Sequence, residues 1–176
     1  KVVHYEGISS GNDISHGTKS YQVKNSKKLF ERWKKKLAGH QENGCYLDDA
    51  KDRTANRRVI VLDHCTPLPD QDAGSLTVFN IMLLLREMNF QVTFIPEDNY
   101  SFIPKYTELL QGLGIEVLYR PYFRNIKDHV MKQGLRYNLV YLCRPYSTHR
   151  NLSDVIKYCK NAKFLYETAD IHFIRL

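Results

Sequence analysis

The chain has 176 residues, 43% of them hydrophobic, and a formal net charge of +7. This length allows one domain, or one domain with an appendage. Because no apolar run approaches about 18 residues, no transmembrane helix is expected. The positive charge suits phosphates, an anionic membrane surface or simply a well-solvated exterior. Because RGG repeats, basic-aromatic ribonucleoprotein motifs and zinc-type Cys/His spacings are absent, we expect no nucleic-acid partner.

The cysteine pattern bears on the compartment. The four cysteines form no CxxC pair, which is typical of reduced thiols in a cytoplasmic protein. The sequence begins at Lys1 and shows no apolar signal segment, so we expect a slice of a longer polypeptide. A cytoplasmic location is therefore predicted.

Residues 1–56 predict an N-terminal extension. A helix is predicted at about residues 27–37, where apolar side chains share one face and lysines surround it. We expect Phe30 and Trp33 to be buried against the following domain, and contact of the helix with anionic lipid is the alternative. A polar linker at residues 40–56 follows, and its sharp change in composition predicts a domain boundary before residue 57.

Residues 57–176 predict a Rossmann-like α/β domain. Apolar runs of strand length alternate with helical periodicity, and the connections are short, as in a parallel sheet with helices on both faces. No GxGxxG and no P-loop is present. The predicted strands are residues 59–62, 91–95, 115–119, 138–143 and 163–167, and the predicted helices are residues 75–88, 105–113, 125–133 and 152–160.

The loop after the first strand carries the most unusual residues. In an α/β sheet, ligands bind outside the carboxyl ends of the strands, where this loop lies. Asp70 and Asp72 are suited to accept hydrogen bonds from sugar hydroxyls, Gly74 lets backbone approach a ligand, and Ser75 opens a helix whose N-terminus favours an anion. Alternatively, Asp72 or Ser75 only caps the helix and Asp70 ends a turn. The acids of this loop, with Asp63, fit no known metal-binding spacing, so no metal is expected.

Two further candidates follow later strands. Asp170 lies two residues before His172, after the fifth strand, and such an acid can orient an imidazole for proton transfer. The alternative is a capped helix start with a surface histidine. Arg144, after the fourth strand, is suited to bind a phosphate with two hydrogen bonds, or it is a solvated loop residue.

Two of these motifs resemble those of a known family. The sequence P-x-P-D-x-D-x-G-S at residues 67–75 and D-x-H-F-x-R at residues 170–175 resemble the N-terminal half of bacterial group 1, family 4-like glycosyltransferases of O-antigen and capsule polysaccharide synthesis. The Arg144-Pro145 step also matches. Residues 2–33 are similar to the closing tail of family 2 glycosyltransferase modules, where a histidine often lies at a metal-bound donor site. The remainder of that module is missing, so we expect His4 to bind nothing.

The resemblance implies a function. It implies the N-terminal, acceptor-side domain of a GT-B fold, in which a hexose passes from a nucleotide-sugar to a glycan or lipid-linked acceptor, with retention and without a resident cofactor or metal. Gly74 and Ser75 would border the donor phosphates and the acceptor, and His172 with Asp170 would face the transferred sugar. The donor-binding domain of the same polypeptide would be the essential partner, so this chain alone is expected to be inactive. Peripheral contact with the inner membrane face is also implied.

Two other functions remain open at this stage. One is a non-catalytic α/β module that binds glycan or protein. The other is a different nucleotide-binding α/β domain, for example a receiver-like domain with Asp63 as the phosphorylated or ribose-binding acid. A receiver also requires a lysine after its fifth strand, whereas Glu167 and Thr168 stand there, which disfavours this alternative.

Overall fold

The computed structural model describes residues 11–168, apart from the side chains of Thr18 and Ser147. The chain divides into two compact units, Lys1–Arg53 and Thr54–Leu176. The predicted boundary was placed three residues later. Among the described residues, no helix is both long enough and apolar enough to cross a membrane.

The first unit is built around one long helix. Helix α1 spans Ser20–Leu37 and begins seven residues before the predicted start, because Ser20 to Ser26 continue the helix without a glycine or proline to stop it. A five-residue helix, α2, spans Leu47–Lys51 within the predicted linker. The side chains of Phe30 and Trp33 are 52% and 46% exposed, and no residue of α1 is buried. Their burial against the following domain stays a prediction.

The second unit is a five-stranded parallel sheet flanked by helices, which confirms the predicted Rossmann-like fold. The strand order is β3-β2-β1-β4-β5, so the chain runs outward from β1 in one direction and then crosses to β4 on the other side. The strands are β1 (Arg57–Asp63), β2 (Phe90–Pro96), β3 (Glu116–Val117), β4 (Leu139–Cys143) and β5 (Lys163–Glu167). The helices are α3 (Ala73–Glu87), α4 (Pro104–Gly112), α5 (Ile126–Gln133) and α6 (Pro145–Tyr158).

The central strand β1 is buried on both faces. Val59 and Val61 belong to one apolar cluster, which contains residues of α3 and α4. Ile60 and Leu62 belong to a second cluster, which contains residues of α5 and α6. Alternate residues of a strand point to opposite faces, so an unbroken apolar run is what a doubly covered strand requires.

Two elements of the second unit differ clearly from the prediction, and the second of them matters for the site. Strand β3 has only two residues, so it pairs with β2 over a short register. Helix α6 begins at Pro145 rather than at about residue 152. Proline is well suited to the first turn of a helix, because its missing N–H would have no partner there. The earlier start places the N-terminus of α6 directly after β4, at the carboxyl edge of the sheet.

Candidate functional site at the carboxyl edge of the sheet

A buried carboxylate lies at the end of the central strand. Asp63 is the last residue of β1 and is fully buried. Its Oδ1 accepts a hydrogen bond from the backbone N–H of His64 at 2.7 Å, whereas no donor among the described residues reaches its Oδ2. The hydroxyl of Thr66, also buried, likewise has no partner within this part of the chain. Uncompensated polar atoms of this kind are costly and rare in a folded protein.

Arg144 is the cation that faces this carboxylate. Its Nε lies 3.3 Å from Oδ1 of Asp63, and its side chain is 36% exposed. Burial raises the pKa of the Asp63 carboxyl, and the positive charge of Arg144 opposes that rise. The backbone of Arg144 has a φ of 65° and a ψ of 140°, a region that is strained for any residue with a Cβ. The predicted site residue Arg144 is therefore held in place by an ion pair that the sequence analysis did not predict.

The Asp72 side chain caps helix α3. It accepts hydrogen bonds from the backbone N–H of Ser75 at 2.7 Å and from the Ser75 hydroxyl at 2.6 Å. These hydrogen bonds lower the pKa of Asp72, and the nearby charge of Arg144 lowers it further. Asp72 is exposed, whereas Ser75 is buried. The structure thus shows Asp72 as the cap of α3, and the first turn of this helix already holds an anionic group.

Asp70 is tied to the start of helix α4. The Lys105 ammonium and the Tyr106 hydroxyl both donate to its carboxylate, the latter at 2.7 Å. The side-chain amide of Gln71 in turn donates to the Tyr106 oxygen at 2.9 Å. These contacts lower the pKa of Asp70. Half of the Asp70 side chain remains exposed, so the loop is anchored while the carboxylate still reaches solvent.

Gly74 lies between Asp72 and Arg144. A Cβ at Gly74 would stand 3.3 Å from Oδ1 of Asp72 and 3.6 Å from Nη2 of Arg144. The absence of a side chain therefore leaves a gap between the helix start and the guanidinium. Asp63, Asp72, Gly74 and Arg144 form one cluster, which we term the rim cluster. Asp70 lies on the same loop, although its contacts are to α4.

A second polar pair on this side of the sheet was missed by the sequence analysis. The Tyr141 hydroxyl of β4 donates to Oε2 of Glu167 of β5 at 2.6 Å. Burial and this hydrogen bond raise the pKa of Tyr141, and the charge of Glu167 contributes to the raised pKa of Asp63. The predicted parallel sheet did hold a signal for this pair. The carboxyl ends of neighbouring parallel strands lie at one edge of a sheet, as those of β1, β4 and β5 do here.

The predicted catalytic pair lies outside the described residues. Asp170 and His172 follow β5, whose last residue, Glu167, pairs with Cys143 at the end of β4. His4 also lies outside the described residues. Within residues 11–168, no group of three or more His, Cys, Asp or Glu side chains could hold a metal ion. The four cysteines, Cys45, Cys65, Cys143 and Cys159, are all free thiols.

Comparisons with known proteins do not identify a family for this chain. The chain has the strand order and crossover of a Rossmann-like unit, with charged residues gathered at the carboxyl edge of its central strands. No protein-family model, no curated protein and no solved structure matches this chain.

Proposed function

We propose that this chain is the acceptor-side domain of a GT-B glycosyltransferase that builds a bacterial surface polysaccharide. In this proposal a nucleotide-sugar donates a hexose to a glycan or lipid-linked acceptor, and the donor-binding domain of the same polypeptide completes the site. In this proposal the sugar transfer takes place in the cytoplasm. The motifs at residues 67–75 and 170–175, together with the rim cluster, support the proposal.

The observation that carries the proposal is the position of the rim cluster in the sheet. Strand β1 is flanked by β2 on one side and by β4 on the other, and the connections leave β1 and β4 toward opposite faces. A crevice forms at such a switch point, outside the carboxyl ends of the two strands, and ligands bind there. Asp63 ends β1 and Arg144 follows β4 directly. The charged pair therefore lies at the switch point.

Arg144 is the residue best placed to bind an anionic part of the substrates. Its Nε faces Asp63, while its Nη2 is directed toward the gap at Gly74. A guanidinium held along one edge by a carboxylate can still offer its other N–H groups to a phosphate. Asp63 would then position Arg144, and the missing Cβ of Gly74 would leave room for the ligand.

The test is glycosyl transfer by the longer polypeptide that contains this chain. We expect transfer of labelled sugar from a nucleotide-sugar to an acceptor, with no activity from the 176-residue chain alone. His172→Ala should lower turnover by about 100-fold or more if His172 acts in proton transfer. Arg144→Gln should raise the KM for the anionic substrate, whereas Arg150→Gln, an exposed arginine on the same helix, should leave activity near that of the wild type.

Three results would overturn the proposal. The first is detectable transfer by the isolated chain. The second is a longer polypeptide that consumes no nucleotide-sugar in the presence of glycan and lipid-linked acceptors. The third is an Arg144→Gln variant that folds like the wild type and shows the same KM, because the rim cluster would then contact no substrate.

A further inference from the structure

Helix α1 carries a large positive charge on one part of its surface. Within Ser20–Leu37 there are seven lysine or arginine residues and one acid, Glu31, which gives the helix a net charge of +6. The whole chain has a net charge of +7. The charge therefore concentrates in one helix, and the last turn alone holds three lysines.

The remaining surface of α1 is apolar and accessible. At 100° per residue, the apolar side chains fall within an arc of about 120°, and no residue of the helix is buried. Trp33 lies near the middle of this arc, and the cations of Arg32 and Lys36 lie 6.0 and 5.8 Å from its ring centroid. The stripe, which we term the α1 face, consists of Val23, Leu29, Phe30, Trp33 and Leu37, of which the first four are 44–58% exposed.

The combination of positive charge and exposed apolar side chains favours one kind of partner for the α1 face. A helix with a narrow apolar stripe, an aromatic residue on it and lysines around it is suited to lie in the interface of an anionic bilayer. The long lysine side chains can extend from the apolar boundary to the lipid headgroups. A second copy of the helix would bring two charges of +6 together, which disfavours self-association. A soluble polyanion would satisfy the charge and leave the apolar stripe in water.

We propose that α1 is a membrane-surface helix, which inserts its α1 face into bilayers rich in anionic phospholipid. The inference does not rest on the proposed glycosyltransferase activity, since it uses only the charge and exposure of this helix. Each lysine near such a surface contributes a several-fold gain in affinity. Trp33, Phe30 and Leu29 supply the apolar contact that distinguishes insertion from simple attraction.

The experiment uses the fluorescence of Trp33, which is the one tryptophan of the chain. The 176-residue protein is titrated with vesicles of phosphatidylcholine alone and of phosphatidylcholine mixed with phosphatidylglycerol. We expect a blue shift of the Trp33 emission and co-sedimentation with the mixed vesicles only. Raising the ionic strength from about 0.1 M to about 1 M should weaken binding strongly, because it shortens the screening length from about 10 Å to about 3 Å.

Matched variants separate the helix from the overall charge. The first is the triple variant Lys27→Gln, Lys34→Gln and Lys36→Gln, whose residues border the α1 face, and it should bind mixed vesicles on the order of 100-fold more weakly. The control makes the same change in net charge at exposed lysines of the second unit and should bind like the wild type. Its substitutions are Lys127→Gln, Lys132→Gln and Lys160→Gln.

The proposal is overturned by any of four results. One is an unshifted Trp33 emission with the mixed vesicles, and another is equal binding to neutral vesicles. A control variant that loses as much affinity as the α1 variant would assign the effect to net charge. Heparin or RNA that produces the same blue shift without lipid would show that the α1 face serves a soluble polyanion instead.

Discussion

The ion pair between Asp63 and Arg144 makes a sharp prediction about stability and pH. Arg144→Gln removes the cation and keeps a side chain of similar reach, so Asp63 is left buried without an opposite charge. At 3.3 Å and an effective dielectric constant of about 20, the attraction between the two charges is about 5 kcal/mol. Desolvation of Asp63 cancels a large part of it, and the exposure of Arg144 screens it further. We expect a net loss of about 2 kcal/mol at pH 8.

The same substitution should cost less in acid. Burial raises the pKa of Asp63 above the ordinary value of about 3.9 for an unfolded chain. Between those two pKa values the folded state binds more protons than the unfolded state, so stability falls as the pH rises through the folded pKa. Arg144 lowers the pKa of Asp63, so its removal raises the folded-state pKa further. The pH range over which stability falls is then wider. As the pH falls toward this raised pKa, Asp63 of the variant takes up a proton and needs no cation, so we expect a smaller loss at pH 5 than at pH 8.

The assay is urea unfolding followed by far-ultraviolet circular dichroism at pH 5 and pH 8. Trp33 cannot serve as the probe here, because it belongs to the first unit. Asp63→Asn is the matched control, since its amide oxygen can still accept the hydrogen bond from the backbone N–H of His64. The stability of this variant should lose the part of its pH dependence that comes from Asp63. In a double-mutant cycle, the combined variant should lose less stability than the sum of the single variants. Additive losses, or an equal loss for Arg144→Gln at both pH values, would refute the reasoning.

Three further changes test the loop and the packing around the site by the same unfolding assay. Asp72→Ala should cost about 1–2 kcal/mol through the lost helix cap, and Asp72→Asn, which can still cap, should cost only a few tenths; equal losses would contradict the capping role. Tyr106→Phe should cost about 1 kcal/mol, because its hydroxyl donates to Asp70; no loss would mean that this bond does not hold the loop. Gly134→Ala should cost about 2 kcal/mol or more, because a Cβ there would stand 2.6 Å from the carbonyl oxygen of Tyr158. Gly112→Ala, with open space around it, should instead stabilise by about 0.5–1 kcal/mol, and a matching loss at both glycines would refute the steric argument.

The second unit could be predicted from the sequence because its elements are specified locally. The run from Val59 to Leu62 is apolar at every position, as a strand covered on both faces must be. Gly114 ends the helix before β3 with a φ of 77°, which is a conformation that glycine adopts without strain. Strand β5 was predicted with the same bounds that the structure has, Lys163–Glu167.

The start of α6 and the extent of α1 could not be predicted with the same success. Pro145 comes one residue after β4, so it was assigned to the connection after the strand rather than to the first turn of a helix, although proline suits both positions. Ser20 to Ser26 lack strong periodicity, and their helix depends on continuity with the lysine-rich turns that follow. Weak local signals of this kind are decided by the neighbouring elements.

The partners within the site were beyond the reach of sequence reasoning because they are distant in the chain. Arg144 lies 3.3 Å from Asp63 only because the chain between β3 and β4 crosses the sheet, which lets β4 pair with β1. The sequence did hold one usable signal. An acid that directly ends a fully buried strand needs a compensating group, and Arg144 is the first charged residue after the strand that pairs beside it.

The chemistry of the rim cluster depends on which groups are already engaged. The Asp72 carboxylate already accepts the backbone N–H of Ser75 in the first turn of α3. This N–H is therefore not available to a second anion. Arg144 faces Asp63 through Nε, with Nη2 on the side of Gly74. An anionic ligand at the switch point is therefore expected to bind the guanidinium rather than the α3 terminus. Gly74→Ala separates these two possibilities. A Cβ there would stand at an ordinary contact distance from Nη2 of Arg144, and the Asp72 carboxylate, at 3.3 Å, would have to shift by a few tenths of an ångström. We therefore expect the fold to persist. Ligand affinity should fall at least several-fold if the ligand occupies the gap, and unchanged affinity would place the ligand elsewhere.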